Sequence, residues 1–364
     1  MNVLFATATD LSRGGGDVEH ILGIAQGFSQ AGNDVSVVCR AAPLEPPDRV
    51  RFVVSQGRST TMSVVKAGRT AVTRAREVRP DLVYVRPFPG DGLFLRALPK
   101  SVPVVAELNT IVGAETMVAR SRTAAVVATA SLGLVLRRAT AWLGVTDEVL
   151  EAGRRIARTT RPSFLVKNGY SPERAPPPGT RSHEPRLLMM GFERAWHGAD
   201  RAVDLLPLVP GARLRLIGST GSSVARALRS RAGQLGVADR LTIEPWCDGD
   251  ELRSELAGAT LGIGPLAMDR KNMRQAQPIK TRLYLGAGLP VLANYDDPII
   301  GDRPFHPSVP SSDLGDLASI VEDLLRHAGD VGPAARAFAL RELTWRQAAE
   351  ETLVTLDAIV RRVR

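Results

Sequence analysis

The stretch best equipped for chemistry is Gln277-Pro278-Ile279-Lys280-Thr281-Arg282-Leu283-Tyr284-Leu285-Gly286-Ala287-Gly288-Leu289-Pro290-Val291. Pro278 suits a first helical turn, where its missing N–H has no intrahelical partner, and Gly288 suits the left-handed residue that ends a helix. A two-turn helix between them puts Lys280 at a helix amino end, where free N–H groups and the dipole attract anions. Lys280 is therefore placed to hold a phosphate. The ordinary alternative is a surface lysine, although Lys is scarce in a chain whose basic residues are nearly all Arg. A second candidate is the loop Arg13-Gly14-Gly15-Gly16-Asp17. Gly15 and Gly16 let a backbone approach a phosphate or sugar closely, or simply make a tight turn. The full G-x-G-x-x-G spacing of a dinucleotide site is absent.

These residues need a scaffold, and the patterning supplies one. Asn2 to Thr9 reads as a strand, Val18 to Ala31 as a helix and Val35 to Cys39 as a strand, so the chain opens with βαβ. Strand-like runs recur at Val50 to Val54, Leu82 to Val85, Val102 to Ala106, Leu143 to Thr146 and Phe164 to Tyr170, with helical stretches between them. A second set follows near Leu187 to Met190, Leu214 to Ile217, Leu241 to Glu244, Leu261 to Ile263 and Val291 to Ala293. Such alternation predicts parallel sheets covered on both faces. The Pro-rich polar stretch 171–185 reads as a linker, which divides the chain into residues 1–170, residues 186–343 and a closing helix over 344–364 with a capping-box start at Thr344.

Composition narrows the class. With 364 residues, 44% of them hydrophobic, the chain is long enough for two cores. It has no apolar run of membrane-spanning length, and its first residues lack a basic leader, so a cytoplasmic location is expected. Two cysteines, Cys39 and Cys247, are too few for a disulfide framework or a zinc site. The net charge of +9 rests on Arg to a degree that reads as compositional, and no nucleic-acid partner is expected. The excess belongs to the first domain. The helix from Met62 to Val78, with Lys66, Arg69, Arg74 and Arg76, reads either as a face for an anionic membrane surface or as a solvated Arg-rich face.

Several separated motifs together resemble the GT-B glycosyltransferases of family 4, which retain anomeric configuration. Gly15-Gly16-Asp17-Val18-Glu19-His20 is similar to the loop opening that family's acceptor domain, and Gly32-Asn33-Asp34-Val35 to its next strand entry. Pro103-Val104-Val105-Ala106-Glu107-Leu108-Asn109 resembles its fourth strand, and Val166-Lys167-Asn168-Gly169 the end of the domain. In the second half, Gly191-Phe192-Glu193-Arg194-Ala195-Trp196-His197-Gly198 resembles a Trp-His-Gly variant of its Gly-Arg…Lys-Gly segment, Pro278 through Val291 its donor signature and Thr344-Trp345 its crossover helix. The resemblance implies two Rossmann-like α/β domains facing each other across a cleft. It also implies transfer of a sugar from a nucleotide donor, a UDP- or GDP-sugar, to a hydroxyl acceptor on a polysaccharide, glycolipid or natural product. Neither a cofactor nor a metal is implied, because cations and helix amino ends can stabilise the departing diphosphate. Peripheral contact of the basic first domain with the inner membrane face is a further expectation.

The resemblance also assigns roles. Lys280 matches a phosphate-binding position. Arg194 is a second diphosphate candidate, displaced two residues from the family Arg, and otherwise an exposed loop Arg. His197 occupies a family Lys position and either donates to a phosphate or packs beside Trp196. Glu107 and Asn109 are the catalytic candidates at a strand end; Glu107 either orients the acceptor hydroxyl or satisfies nearby backbone groups, and Asn109 can hydrogen-bond but not act as a base. Gln275 and Leu283 stand where many members carry two Glu; Gln275 keeps hydrogen-bonding capacity for the donor, and Leu283 has none. Trp246 lies in the loop where the family holds the base, with packing as the ordinary alternative. These departures leave a rival open, a non-catalytic homologue that binds a sugar nucleotide or a partner enzyme.

Overall fold

The computed structural model describes residues 1–55, 60–88, 91–119, 121–176, 184–307, 309 and 313–363. The chain divides into two compact units, Met1–Gly169 with Trp345–Arg364, and Tyr170–Thr344.

The first unit carries β1 (Asn2–Ala6), α1 (Gly16–Gln30), β2 (Asp34–Cys39), β3 (Val50–Val54), α2 (Thr60–Val78), β4 (Leu82–Val85), α3 (Asp91–Leu95), β5 (Val104–Leu108), α4 (Val112–Ala119), α5 (Arg122–Arg138), β6 (Ala141–Gly144), α6 (Asp147–Ala157) and β7 (Ser163–Leu165). Its seven strands form one sheet in the order β3-β2-β1-β4-β5-β6-β7, all pairings parallel. Parallel strands need helical crossovers on the faces, which explains the unbroken burial of β4, β5 and β6 and of β1 after Asn2. Helices α5 and α6 start at side-chain caps that the sequence supplies. The Ser121 hydroxyl accepts from the Ala124 N–H at 3.2 Å, and the Thr146 hydroxyl from the Val149 N–H at 3.2 Å.

The second unit carries β8 (Arg186–Met190), α7 (Ala199–Asp204), β9 (Arg213–Ile217), α8 (Ser223–Gln234), β10 (Leu241–Glu244), α9 (Gly249–Gly258), β11 (Leu261–Ile263), α10 (Ile279–Gly286), β12 (Val291–Leu292) and α11 (Leu314–Glu342). Its sheet runs β10-β9-β8-β11-β12, again all parallel. In α10, Pro278 is the residue just before the first helical one, with φ −68° and ψ 133°, and Gly288 has φ 73°. Tyr284 on α10 is fully buried, and its hydroxyl accepts from the Met190 N–H at 2.7 Å, which pins the helix to the end of β8.

The last helix, α12 (Trp345–Val363), belongs to the first unit. It packs along α1 through two glycines: a Cβ on Gly23 would strike the Trp345 indole, and one on Gly27 would strike Ala349. Side chains 60–65 of the basic helix α2 and residues 177–183 of the Pro-rich linker lie outside the described residues. From Lys66 onward, α2 exposes Lys66, Arg69 and Arg76. Among the described residues no helix is long and apolar enough to cross a membrane.

In both sheets the strand order reverses beside the first strand, between β1 and β4 and between β8 and β11. Open α/β sheets bind ligands outside the carboxyl ends of the strands at such a point. The candidate residues sit at these ends.

Candidate active site

In the second unit the site is assembled from four loops that follow β8, β9 and β10 and precede α10. Lys280 lies in the first turn of α10 and donates from Nζ to the carbonyl of Gly191, the residue just after β8, at 2.8 Å. Gly191 has φ 60°, and a Cβ there would stand 3.7 Å from the Trp246 ring and 3.8 Å from Lys280 Nζ, so this position accommodates the convergence of the three residues. Burial pushes the Lys280 ammonium down to about 7, an effect that the carboxylate of Glu193 opposes only in part. Glu193 is itself engaged, since its Oε1 accepts from the Ser219 N–H after β9 at 2.6 Å.

His197 closes a short 3-10 turn, Ala195–His197, and its carbonyl accepts from the Leu266 N–H at 2.9 Å. Gly198, with φ 72°, then starts α7. The imidazole is held well below its ordinary range by burial first, then by the charges of Lys280, Lys271 and Arg194. It is therefore neutral at pH 7, and its Nδ1 is buried without a hydrogen-bond partner among the described residues. Arg194 is exposed and sits 5.8 Å from the Trp196 ring centroid, and Lys271 Nζ lies 4.9 Å from the same ring. Trp196 is buried, and His197 meets its ring edge to face at 6.1 Å. Two bidentate pairs fasten the loop: Arg201 donates to both Asp269 oxygens at 2.9 Å, and Arg270 holds Asp200 while donating to the Ala195 carbonyl at 2.8 Å.

Gln275 is half-buried and pairs with Asp296 in an isolated parallel bridge, so backbone geometry sets its direction. Leu283 is 2% exposed and packs in the core. Trp246 is 46% exposed beside Gly191, which removes core packing as its explanation.

Beneath α10 is an ion pair that the sequence reading did not single out. Arg282 and Asp297 pair with both side chains fully buried, and Arg282 also donates to Gln277 Oε1 at 3.0 Å and to the Pro278 carbonyl at 3.3 Å. Asp297 Oδ1 accepts from the Ile299 and Ile300 N–H groups at 3.0 and 3.1 Å. The pair thus staples the turn that presents Lys280.

In the first unit, Gly15 has φ 136°, a conformation L side chains rarely adopt, and precedes α1, whose first residue is Gly16. Glu107, near the end of β5, is 1% exposed. Its Oε2 accepts from the Tyr84 hydroxyl at 2.6 Å, its Oε1 accepts from Asn109 Nδ2 at 2.7 Å, and His20 Nε2 on α1 lies 2.5 Å from Oε1. Burial alone would raise this carboxyl, but the charge and hydrogen bond of His20, the charge of Arg86 and the Tyr84 hydroxyl together bring it down to about 2. His20 also meets Trp345 edge to face at 5.3 Å. Glu107 and Asn109 therefore stand together, as their spacing implies. His20 and Tyr84 were not assigned roles in sequence. The signal for His20 was its position one turn into the helix behind the glycine loop; a tyrosine inside a buried strand carried none.

Two doubly wound parallel α/β units in one chain, with a C-terminal helix packed on the first, form the GT-B fold of glycosyltransferases. The family model described as Glycosyltransferase Family 4 matches residues 14–174. Among solved structures, the chain is similar to sucrose-phosphate synthase from Thermosynechococcus elongatus, at 15% identity and TM-score 0.79, covering 98% of each chain. It is also similar to Anabaena HepE in complex with UDP-glucose, at 15% identity and TM-score 0.72, covering 98% of this chain and 100% of that one. A third is WaaG, a glycosyltransferase involved in lipopolysaccharide biosynthesis, at 17% identity and TM-score 0.68, covering 96% and 98%. No curated protein matches the sequence. The family match covers residues 14–174, and the chain as a whole has the GT-B fold of these structures.

Proposed function

We propose that this glycosyltransferase moves a sugar, with retention of configuration, from a nucleotide-diphosphate donor held by the Tyr170–Thr344 unit to a hydroxyl acceptor held by the Met1–Gly169 unit. The observation that carries the donor assignment is Lys280, poised at a helix amino end against the Gly191 carbonyl, beside a neutral His197 on which the charges of Lys280, Lys271 and Arg194 all act. An anion arriving here would meet this positive field. Negative charge grows on the diphosphate as the glycosidic bond breaks, and Lys280 with the α10 amino end is set to meet it.

In this reading the neutral His197 supplies a hydrogen bond, Gly15 and Gly16 let the first loop approach the donor, and Gln275 offers its amide to the sugar. Trp246 presents an exposed ring on which a nucleobase can stack. With Leu283 in the core, base stacking takes over part of what a ribose carboxylate would do. HepE is described with UDP-glucose bound, and a UDP-sugar is the first donor to test. Glu107, with its oxygens committed to His20, Tyr84 and Asn109, acts as a positioning residue: it holds Asn109 at the strand end and His20 behind the glycine loop. No metal is assigned to the reaction, which should proceed in the presence of a chelator. Nucleotide release from a panel of UDP-, GDP- and ADP-sugars, with and without candidate acceptors, tests the reading. Release from one donor supports it; nucleotide binding without release from any donor supports a non-catalytic homologue instead.

A further inference from the structure

Arg86 is the first residue after β4, at the point where the strand order of the first sheet reverses. Its N–H donates to the Ala6 carbonyl at the end of β1 at 3.1 Å. On the other side, the last registered pair of β4 with β5 is Val85 with Ala106, one residue short of Arg86 and Glu107. Arg86 therefore sits between the loop that leads to Gly15 and the strand end that carries Glu107 and Asn109. Open α/β sheets take their ligands at such a place.

The guanidinium is short of partners there. Its Nη1 is buried without a hydrogen-bond partner, and the side chain makes no ion pair among the described residues. The charge of Arg86 acts on Glu107, but both Glu107 oxygens are taken, Oε2 by the Tyr84 hydroxyl and Oε1 by Asn109 and His20. By contrast, Arg13, Arg40 and Lys167, in the loops after β1, β2 and β7, are paired: the two arginines share Asp10 at 3.1 and 3.4 Å, and Lys167 reaches Glu351 at 2.6 Å. A buried donor without an acceptor costs stability, and an anion from outside would relieve that cost. The fork of guanidinium N–H groups fits the paired oxygens of a phosphate or a carboxylate.

We propose that the acceptor carries a phosphate or carboxylate group and that Arg86 holds it. The proposal rests on the reading that the Met1–Gly169 unit binds the acceptor, and it narrows that acceptor from any hydroxyl compound to an acidic one, such as a sugar phosphate or a uronic acid. Arg86 is then a specificity-determining residue. A neutral sugar entering the site leaves the guanidinium buried and unmatched, whereas an acidic one completes it, and sites built in this way reject the analogue that lacks the polar group.

The test is calorimetry of the full chain with glucose, glucose 6-phosphate and glucuronate, without a donor and in a Lys280→Ala background that removes the donor-site ammonium. One acidic sugar at least should bind more tightly than glucose, on the order of tenfold to a hundredfold, the worth of hydrogen bonds to a charged group. The order of the two acidic sugars separates phosphate from carboxylate. Arg86→Gln should remove the preference and Arg86→Lys should keep part of it, with matching thermal unfolding curves to confirm folding. Because the preference is read on a chain with Arg86 intact, it remains a test even where Arg86→Gln does not fold. Equal binding of the three sugars, binding of none, or a preference that survives Arg86→Gln would overturn the proposal. So would an Arg86→Gln chain that loses affinity for UDP alone. If the acidic preference holds while no nucleotide sugar is turned over, the anion site stands and the transferase reading fails instead.

Discussion

The two candidate clusters handle charge in opposite ways. Around Glu107 a single carboxylate is sealed from solvent and shared among a tyrosine, an asparagine and a histidine. Around Lys280 the ammonium meets a carbonyl and lies near a neutral imidazole, and Glu193, the acid that acts on it, is already engaged by a backbone N–H. In the first arrangement both carboxylate oxygens are partnered, although His20 Nδ1 is buried without a hydrogen-bond partner among the described residues. In the second, burial depresses the Lys280 ammonium and Glu193 offsets that only in part. A protein site that is electrostatically closed positions its own parts, whereas one left open is built for something that arrives from outside. The Arg282–Asp297 pair is the internal control: it lies on the same helix as Lys280, yet its charge is neutralised in place.

That contrast can be broken most severely at the control. Asp297→Ala would strand a buried guanidinium and is expected to cost about 3–5 kcal/mol in denaturant unfolding. A variant of near wild-type stability would show that Arg282 finds other partners.

The closed cluster comes next. Glu107 has a folded value of about 2, below its ordinary 4.5. Its stabilisation is therefore fully present above the unfolded value and is lost as pH falls from there through about 2. In Glu107→Gln this acid-side loss should shrink, by up to about 3 kcal/mol, in urea titrations at successive pH values. Identical pH profiles would remove the ion-pair account.

Lys280→Ala should weaken donor binding or kcat/KM on the order of tenfold or more, one charge-assisted contact to phosphate; an unchanged value would end the phosphate role. The same open site predicts a pH signature. With free Lys280 near 7, bound diphosphate must draw a proton onto it at higher pH. Affinity for inorganic diphosphate should fall by up to about tenfold per pH unit above that value, and Lys280→Arg should flatten the slope in calorimetry.

The smallest expected effect is at Trp246. Its replacement by Ala should weaken UDP or GDP by about 1 kcal/mol, roughly fivefold, and leave inorganic diphosphate unaffected. Equal losses for both ligands would mean that the ring only buttresses Gly191.

Much of the framework was legible locally. The run Leu241 to Glu244 is a strand with the bounds its composition implies, Pro278 and Gly288 do bracket α10, and the alternation of strands and helices does yield parallel sheets. These features depend on dihedral preferences and on burial period, which act over a few residues. Boundaries shifted where packing overrode propensity: the strand expected from Val102 begins at Val104 and runs to Leu108, which carries Glu107 inside the sheet. Trp246 and Leu283 show the limit more sharply. A tryptophan that composition would bury is exposed, and a leucine at a position expected to be polar is in the core.

By itself, then, the sequence determined that Lys280 stands at the amino end of a short helix, because proline and glycine chemistry dictates where that helix starts and stops. Only the tertiary structure decided what surrounds it. The Gly191 carbonyl, 89 residues away, and the His197 imidazole come to Lys280 because the loops after β8 and before α10 converge at the carboxyl ends of central strands. The depressed ammonium follows from that convergence and from the burial it imposes, and no local pattern of residues encodes either.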